Sequence, residues 1–250
     1  MENIKKNIEP ITEKYREKTA KECYKLVAVD NVTPFIMEDK LGGMPYIPKG
    51  QQIPRDTKGN YMALLLQVNL KNIHLKNFPQ NGILEIFASS EIDFPQEYKI
   101  IVFPDNQMPE LELPFVDTEN FFVTEPIKIE LQKDTVHMPL QDYRSTDTLN
   151  EILIDYGAEI ESVYDLDEDI LNALTDAIDT RPATIGGYPD FTQEDPRTYD
   201  DDRDYCLFKL DSLFDRNIYI GDSGILTVTI SEDYLKTEKW NEAVLDWDCC

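Results

Sequence analysis

The sequence predicts an α+β fold, internally duplicated, with mostly antiparallel sheet in two related halves, an N-terminal helix and a helical insertion. Three observations predict it. Several segments alternate apolar and polar residues with a period of two. Two other segments show helical spacing. A glycine-pair loop followed by two strands occurs twice in the same order.

Residues 2–20 read as an amphipathic helix, because Ile4, Ile8, Ile11 and Tyr15 recur at spacings of four, three and four. Pro10 falls inside this pattern and is expected to kink it or to start a second helix. A first strand follows at Tyr24–Val29. The segment from Gly42 to Gly59 is dense in glycine and proline and reads as a loop of fixed shape. Met62–Leu70, Ile83–Ala88 and residues 98–103 read as strands, the last stopped by Pro104. Ile127, Ile129 and Leu131 alternate with Lys128, Glu130 and Gln132, the pattern of a strand with one wet face. From Thr148 to Asp179 the period changes to that of a helix, with Leu166, Ile170, Leu174 and Ile178 every four residues and acids opposite. Strands return at Leu207–Leu210 and Ile225–Ile230, and Trp240 to Trp247 closes the chain.

The duplication rests on three matches. Leu41-Gly42-Gly43-Met44-Pro45-Tyr46 resembles Ile185-Gly186-Gly187-Tyr188-Pro189-Asp190 at an offset of 144. Leu65–Leu70 resembles Leu207–Ser212, and Gly82-Ile83-Leu84 resembles Gly224-Ile225-Leu226, both at 142. Each glycine pair is expected to permit positive φ or a close backbone approach. This organisation divides the chain into an N-terminal helical segment (1–26), a first half (27–147), a helical connection (148–180) and a second half (181–250). They are expected to form one compact domain, since no flexible linker separates the repeats.

These residues carry a family resemblance. Gly42-Gly43-x-Pro45, Leu66-Gln67-Val68-Asn69, Ile185-Gly186-Gly187-Tyr188-Pro189, Thr192-Gln193-Glu194-Asp195-Pro196-Arg197, Gly221-Asp222-Ser223-Gly224 and the terminal Trp247-Asp248-Cys249-Cys250 resemble the bacterial YwqG-like family. The resemblance runs from about Val27 to the end and is most specific between Gly186 and Arg197. It implies a fold and not a reaction. Members that sit near polymorphic toxin systems imply an immunity or inhibitor role.

Charge narrows the function classes. Asp and Glu total 49 against 24 Lys and Arg, a net charge of −25, which repels nucleic acid and anionic membrane and attracts basic proteins or cations. No apolar run is long enough to span a bilayer, and the N-terminus lacks a secretory pattern, so a cytoplasmic location is expected. The four cysteines, Cys23, Cys206, Cys249 and Cys250, form neither a disulfide framework nor a zinc pattern.

The candidate site residues concentrate in the second half. Asp190, Gln193, Glu194, Asp195 and Arg197 follow the second glycine pair, while Asp211, Asp222 and Trp247 lie on later strands and turns. If the halves pack together, the acids are expected to meet near one cleft, where they could hold a hard cation or do acid–base work. Asp200, Asp202 and Asp204 have the spacing of a calcium loop, but Tyr205 stands where glycine is required and Asp211 where glutamate is required. Asp165, Asp167 and Asp169 fail the same test at Ile170. No resident metal or cofactor is expected, and no catalytic residue is assigned. Ser223 lacks the nucleophile-elbow pattern. Arg197 among acids reads as their internal partner, or as the anchor for a ligand carboxylate. The expected function is a non-enzymatic interaction protein binding a basic protein partner. The alternatives are a small-molecule or divalent-cation binder, or an enzyme, using the acidic loop after Gly186-Gly187.

Overall fold

A computed structural model describes residues 2–90, 97–178 and 180–249; the terminal Cys250 lies outside them. The alternating segments pair into strands β1 (Lys21–Ala28), β2 (Lys40–Leu41), β3 (Ala63–Asn69), β4 (Ile83–Ala88) and β5 (Tyr98–Phe103). They continue as β6 (Ile127–Val136), β7 (Ala183–Gly186), β8 (Tyr205–Asp211), β9 (Ile225–Ile230) and β10 (Val244–Asp248). Among the described residues all ten join one sheet in the order β10-β9-β8-β7-β1-β6-β2-β3-β4-β5. Every pairing between neighbours is antiparallel. The two edges approach each other, because Tyr98 Oη donates a hydrogen bond of 3.1 Å to Ala243 O. The sheet is therefore nearly closed.

Its concave side holds the main core, which includes Leu66, Val68, Ile86, Ile129, Phe208, Leu226 and Val228. β4 is buried along its whole length and β3 along all but its last residue. Their second face meets another core of Tyr46, Ile47, Ile53, Met62, Leu64, Ile83, Phe87 and Phe103 beneath the glycine- and proline-rich loop. That is why these strands read as continuous apolar runs. β6 keeps one wet face, as its alternation predicts.

The two longest strands pair at the middle of the sheet. β1 pairs with β6 along its whole length, but its other neighbour is β7, while the other neighbour of β6 is β2. The same irregularity recurs on either side. The β3–β4 ladder shifts register between Leu64 and Leu66, and the β8–β9 ladder between Cys206 and Phe208. The displaced residues, Leu65 and Leu207, are both buried.

The helices differ from the periodicity in two respects. The N-terminal stretch is two helices, α1 (Glu2–Lys6) and α2 (Ile8–Thr19). Pro10 lies in the first turn of α2, where its missing N–H is tolerated but cannot continue the α1 ladder. The stretch predicted from Thr148 also splits, into α3 (Ser145–Leu153) and α4 (Glu168–Ala177), with short 3-10 turns between them. Asp179, where the predicted helix ends, lies outside the described residues. A short α5 (Glu232–Lys236) precedes β10. Ile4, Ile11 and Tyr15 bury against Leu149, Leu153, Ile170 and Leu174, forming a separate helical core that also takes in Met138 and Leu140. An apolar stripe buries against the nearest complementary stripe, and α3 and α4 supply it. No helix among the described residues is long and apolar enough to cross a membrane.

The second glycine of each pair shows what the loops require. Gly43 has φ +75°, and a Cβ there would lie 2.6 Å from Pro126 Cβ. Gly187 has φ +76°, and its Cβ would lie 2.6 Å from Val136 Cγ2. Both constraints forbid a side chain. Gly43→Ala and Gly187→Ala are each expected to cost more than the ~1–2 kcal/mol of the left-handed backbone alone, because the clash adds to it. Urea unfolding of the two variants measures this, and a loss below that range in both would show that the loops yield.

Candidate functional site

The sequence holds four Asp-x-Arg stretches, and Asp179 of one of them, Asp179-Thr180-Arg181, lies outside the described residues. The other three, Asp142-Tyr143-Arg144, Asp195-Pro196-Arg197 and Asp201-Asp202-Arg203, organise the loop after the second glycine pair and the turn against it. In each, the aspartate Oδ1 accepts the arginine backbone N–H, at 3.1, 2.9 and 2.9 Å respectively. The same oxygen accepts the arginine Nε–H at 2.8, 2.9 and 3.0 Å. The second carboxylate oxygen accepts from Nη2 at 2.7, 2.6 and 2.6 Å. Two-residue spacing folds the guanidinium fork back onto the carboxylate as a bidentate pair, fixing the turn and the charge together.

Long-range bonds join these units. Arg197 Nη2 also donates to Asp142 Oδ2 at 3.0 Å, with both side chains fully buried. Arg144 Nη1 lies 3.0 Å from Asp204 Oδ1, and Tyr143 Oη donates to the same oxygen at 3.0 Å. The Tyr143 backbone N–H donates to Asp195 Oδ2 at 3.2 Å. Arg203 reaches Asp246 on β10 at 3.3 Å. The rings of Tyr143 and Phe191 flank the Arg197 guanidinium at 5.2 and 5.8 Å. Burial pushes the Asp142 carboxyl up, but the hydrogen bonds and charge of Arg144, with the charge of Arg197, outweigh it and hold the group below 3.8.

A second cluster surrounds the buried Lys209 of β8, whose Nζ lies 3.0 Å from Asp190 Oδ2 and 3.2 Å from Asp211 Oδ1. Thr227 Oγ1 donates to Asp190 O at 3.1 Å. Burial, with a smaller contribution from the Asp190 charge, overcomes Lys209 and pushes the Asp211 carboxyl up to about 6. A third buried polar cluster lies beside the first glycine pair, on β3 and β4. Tyr46 N–H donates to Gln67 Oε1 at 2.8 Å and to Glu85 Oε1 at 2.7 Å. Lys40 Nζ donates to Ile36 O at 2.8 Å. Glu85 is fully buried, and burial drives its carboxyl well above the usual range.

The predicted residues therefore fall into separate places and not into one cleft. Asp190 and Asp211 meet on Lys209, while Asp195 meets Asp142 on Arg197. Gln193 is exposed and ties the loop to the chain end, its N–H donating to Asp248 Oδ2 at 2.7 Å and its Nε2 to Cys249 O at 2.6 Å. Glu194 and Asp222 are exposed, and Trp247 is half-buried on β10. The separation has a physical cause: the carboxylates gather on two different buried cations, Lys209 and Arg197. Asp142, Arg144, Arg203, Asp204 and Lys209 complete these clusters and were not among the predicted residues. The recurring Asp-x-Arg spacing was the available signal for the first three. Among the described residues no group of three or more His, Cys, Asp or Glu side chains is placed to hold a metal ion.

A nearly closed antiparallel sheet with a helical lobe, and with its buried carboxylates neutralised by arginine and lysine, defines an α+β protein whose polar clusters brace loops. The chain belongs to the family described as a domain of unknown function (DUF1963), whose model matches residues 39–249. No curated protein matches it.

Two outcomes test the clusters. Arg197→Ala leaves the buried Asp195 without its cation and Asp142 with Arg144 alone, and is expected to cost about 3–5 kcal/mol in urea unfolding. Arg197→Lys, which keeps the charge but loses the fork, is expected to fall between. For Asp211, the folded-state value of about 6 exceeds the ordinary 3.8, so its contribution to stability is complete below 3.8 and lost as pH rises through 6. Asp211→Asn is therefore expected to gain on the wild type as pH increases across that window, and parallel stability–pH curves would contradict the assignment.

Proposed function

We propose that this protein is a non-enzymatic acidic interaction protein of the immunity or inhibitor type, which docks a basic protein on the loop following the second glycine pair. The observation that supports this reading most is how that loop is built. Its inward side chains, Asp195 and Arg197, are buried in the Asp-x-Arg network, while Gln193, Glu194, Tyr199, Asp200 and Asp202 are held outward. Tyr199 is 68% exposed, rests edge-on against Tyr143 at 5.1 Å, and donates its hydroxyl to Asp147. Tyr164, 57% exposed, lies near enough to Glu194 for that charge to add to the rise in its pKa, which comes first from partial burial. Exposed tyrosines held rigidly among acids combine a low-entropy contact surface with charge complementary to lysine and arginine.

The proposal includes an origin and a setting. The chain is a duplication of one β-unit, as its three internal sequence matches suggest, is of the YwqG-like kind, and acts in the cytoplasm. The shared bulges, the two glycine-pair loops and the strand order, mirrored about the central β1–β6 pair, support the duplication.

The test is retention of a native-host protein on the immobilised chain. A single basic protein is expected to bind stoichiometrically, and its affinity to fall as salt rises. Glu194→Lys combined with Tyr199→Ala is expected to weaken it at least about tenfold, a change of ~1.4 kcal/mol. Glu13→Lys, an exposed change of the same charge on α2, is expected to leave it unaltered. Equal weakening by both variants, or no stoichiometric partner, would refute the proposal.

A further inference from the structure

Lys21 differs from the buried Lys40 and Lys209 in what surrounds its amine. Lys209 faces two carboxylates. Lys40 is 1% exposed, with its Nζ on the carbonyls of Phe35 and Ile36. Lys21 opens β1 and is half-buried. Its Nζ lies over the rings of Tyr188 and Tyr205, 4.8 and 5.6 Å from their centroids, and donates to Asp204 O at 3.3 Å. No carboxylate among the described residues lies within salt-bridge distance of it. In a chain with 49 acids against 24 bases, such an amine is conspicuous.

Its neighbours explain the arrangement. The Asp204 carboxylate is engaged by Arg144 and Tyr143, so Asp204 turns its carbonyl and not its charge to Lys21. Glu22 follows Lys21 in β1, its side chain lies on the opposite face of the strand, and it pairs with Lys133 at 2.6 Å. The two ring faces favour an ammonium, but they replace few of the hydrogen bonds that its three donors lose on leaving water. Burial therefore lowers the pKa of the amine below the usual lysine range. The Arg144 charge adds to the fall, and the charges of Cys206, Asp142 and Asp204 oppose it.

The amine also faces open space. It lines a cavity of about 480 Å³ together with Ala20, Leu75, Lys76, Tyr205 and Glu232. Leu75 and the Tyr205 ring give this cavity an apolar wall. Its rim carries both signs, with Lys76 3.7 Å from Glu232. The cavity borders the proposed docking loop at Asp202, but neither Glu194 nor Tyr199 lines it.

We propose that this cavity binds small uncharged aldehydes and holds them reversibly as an imine on Lys21 Nζ. A partly desolvated lysine without a carboxylate, beside another cation, is in the setting where its amine acts as a nucleophile. The Nζ lone pair adds to the carbonyl carbon. The carbonyl oxygen then leaves as water, carrying both amine protons, and a C=N bond remains; nothing is oxidised or reduced. An aldehyde needs no activated leaving group for this step. Leu75 and Tyr205 would cover its apolar body.

Benzaldehyde is the probe, applied to the full chain at neutral pH with sodium cyanoborohydride, which reduces each imine to a stable benzylamine. Peptide mass spectrometry assigns the label to individual lysines. Lys21 is expected to be labelled at least about tenfold faster than the exposed Lys6 and Lys76, and Lys40 to stay unlabelled. Ala20→Phe, at an exposed position on the cavity wall, is expected to slow labelling of Lys21 several-fold and to leave Lys6 unchanged. The comparison among lysines uses the wild-type chain and decides the matter if Ala20→Phe does not fold. Labelling of Lys21 no faster than of Lys6, labelling of Lys40 at the Lys21 rate, or a wild-type Lys21 rate in folded Ala20→Phe would overturn the inference. None of these results bears on the basic partner, which is tested at Glu194 and Tyr199.

Discussion

The ladder between β1 and β6 is the interaction on which the rest of the structure depends. All eight residues of β1 pair with β6, and the second edge of each strand is covered in turn, that of β1 by β7 and that of β6 by β2. An antiparallel strand with an unpaired edge is a liability in water, and here neither central strand keeps one. The ladder also makes folding a property of the whole chain, because its paired residues lie more than a hundred positions apart. β1 lies outside the segment matched by the family, which begins at residue 39, yet it sits at the centre of the sheet.

Around that frame the protein solves a charge problem. With a net charge of −25, any carboxylate that becomes buried must find a cation or give up its charge. Both solutions are present. Asp142 and Asp195 are matched by the forks of Arg144 and Arg197, and Asp190 by Lys209. Glu85, with a backbone N–H on one oxygen and Lys40 within its electrostatic reach, is pushed towards its neutral form instead. Such pairs add little net stability compared with apolar residues of the same size, but they specify geometry, because a buried charge tolerates only one arrangement of partners. The loop from Gln193 to Asp204 has its shape for this reason. It has little regular structure, yet its inward side chains are as constrained as those of a core.

That division of labour gives the molecule two different surfaces. The braced loop carries Glu194, Tyr199, Asp200 and Asp202 outward. A cavity beside β1 and β6 is lined by aliphatic residues of the core. The first surface is made of polar side chains; the second is apolar and lies between strands.

Local chemistry alone determined much of this. The strands β3, β4, β5, β8 and β9 follow from their apolar runs, and β6 from its alternation, because a half-buried pleated surface demands those patterns. The glycine pairs announced backbone that no side chain could occupy, and Arg197 among acids announced an internal partner. The Asp-x-Arg spacing was equally local and equally readable, since the fork closes within two residues. Only the tertiary structure decided the rest. β2 is two residues long and β7 four, too short to carry a periodic signal, and they are strands because long neighbours on either side supply their hydrogen bonds. The pairing of β1 with β6, the separation of Asp190 and Asp211 from Asp195, and the meeting of Asp142 with Arg197 across 55 positions are all long-range. A residue's own neighbours in sequence fix its torsions and its face, but the partner that neutralises a buried charge or completes a strand edge is chosen by the packing of the whole chain.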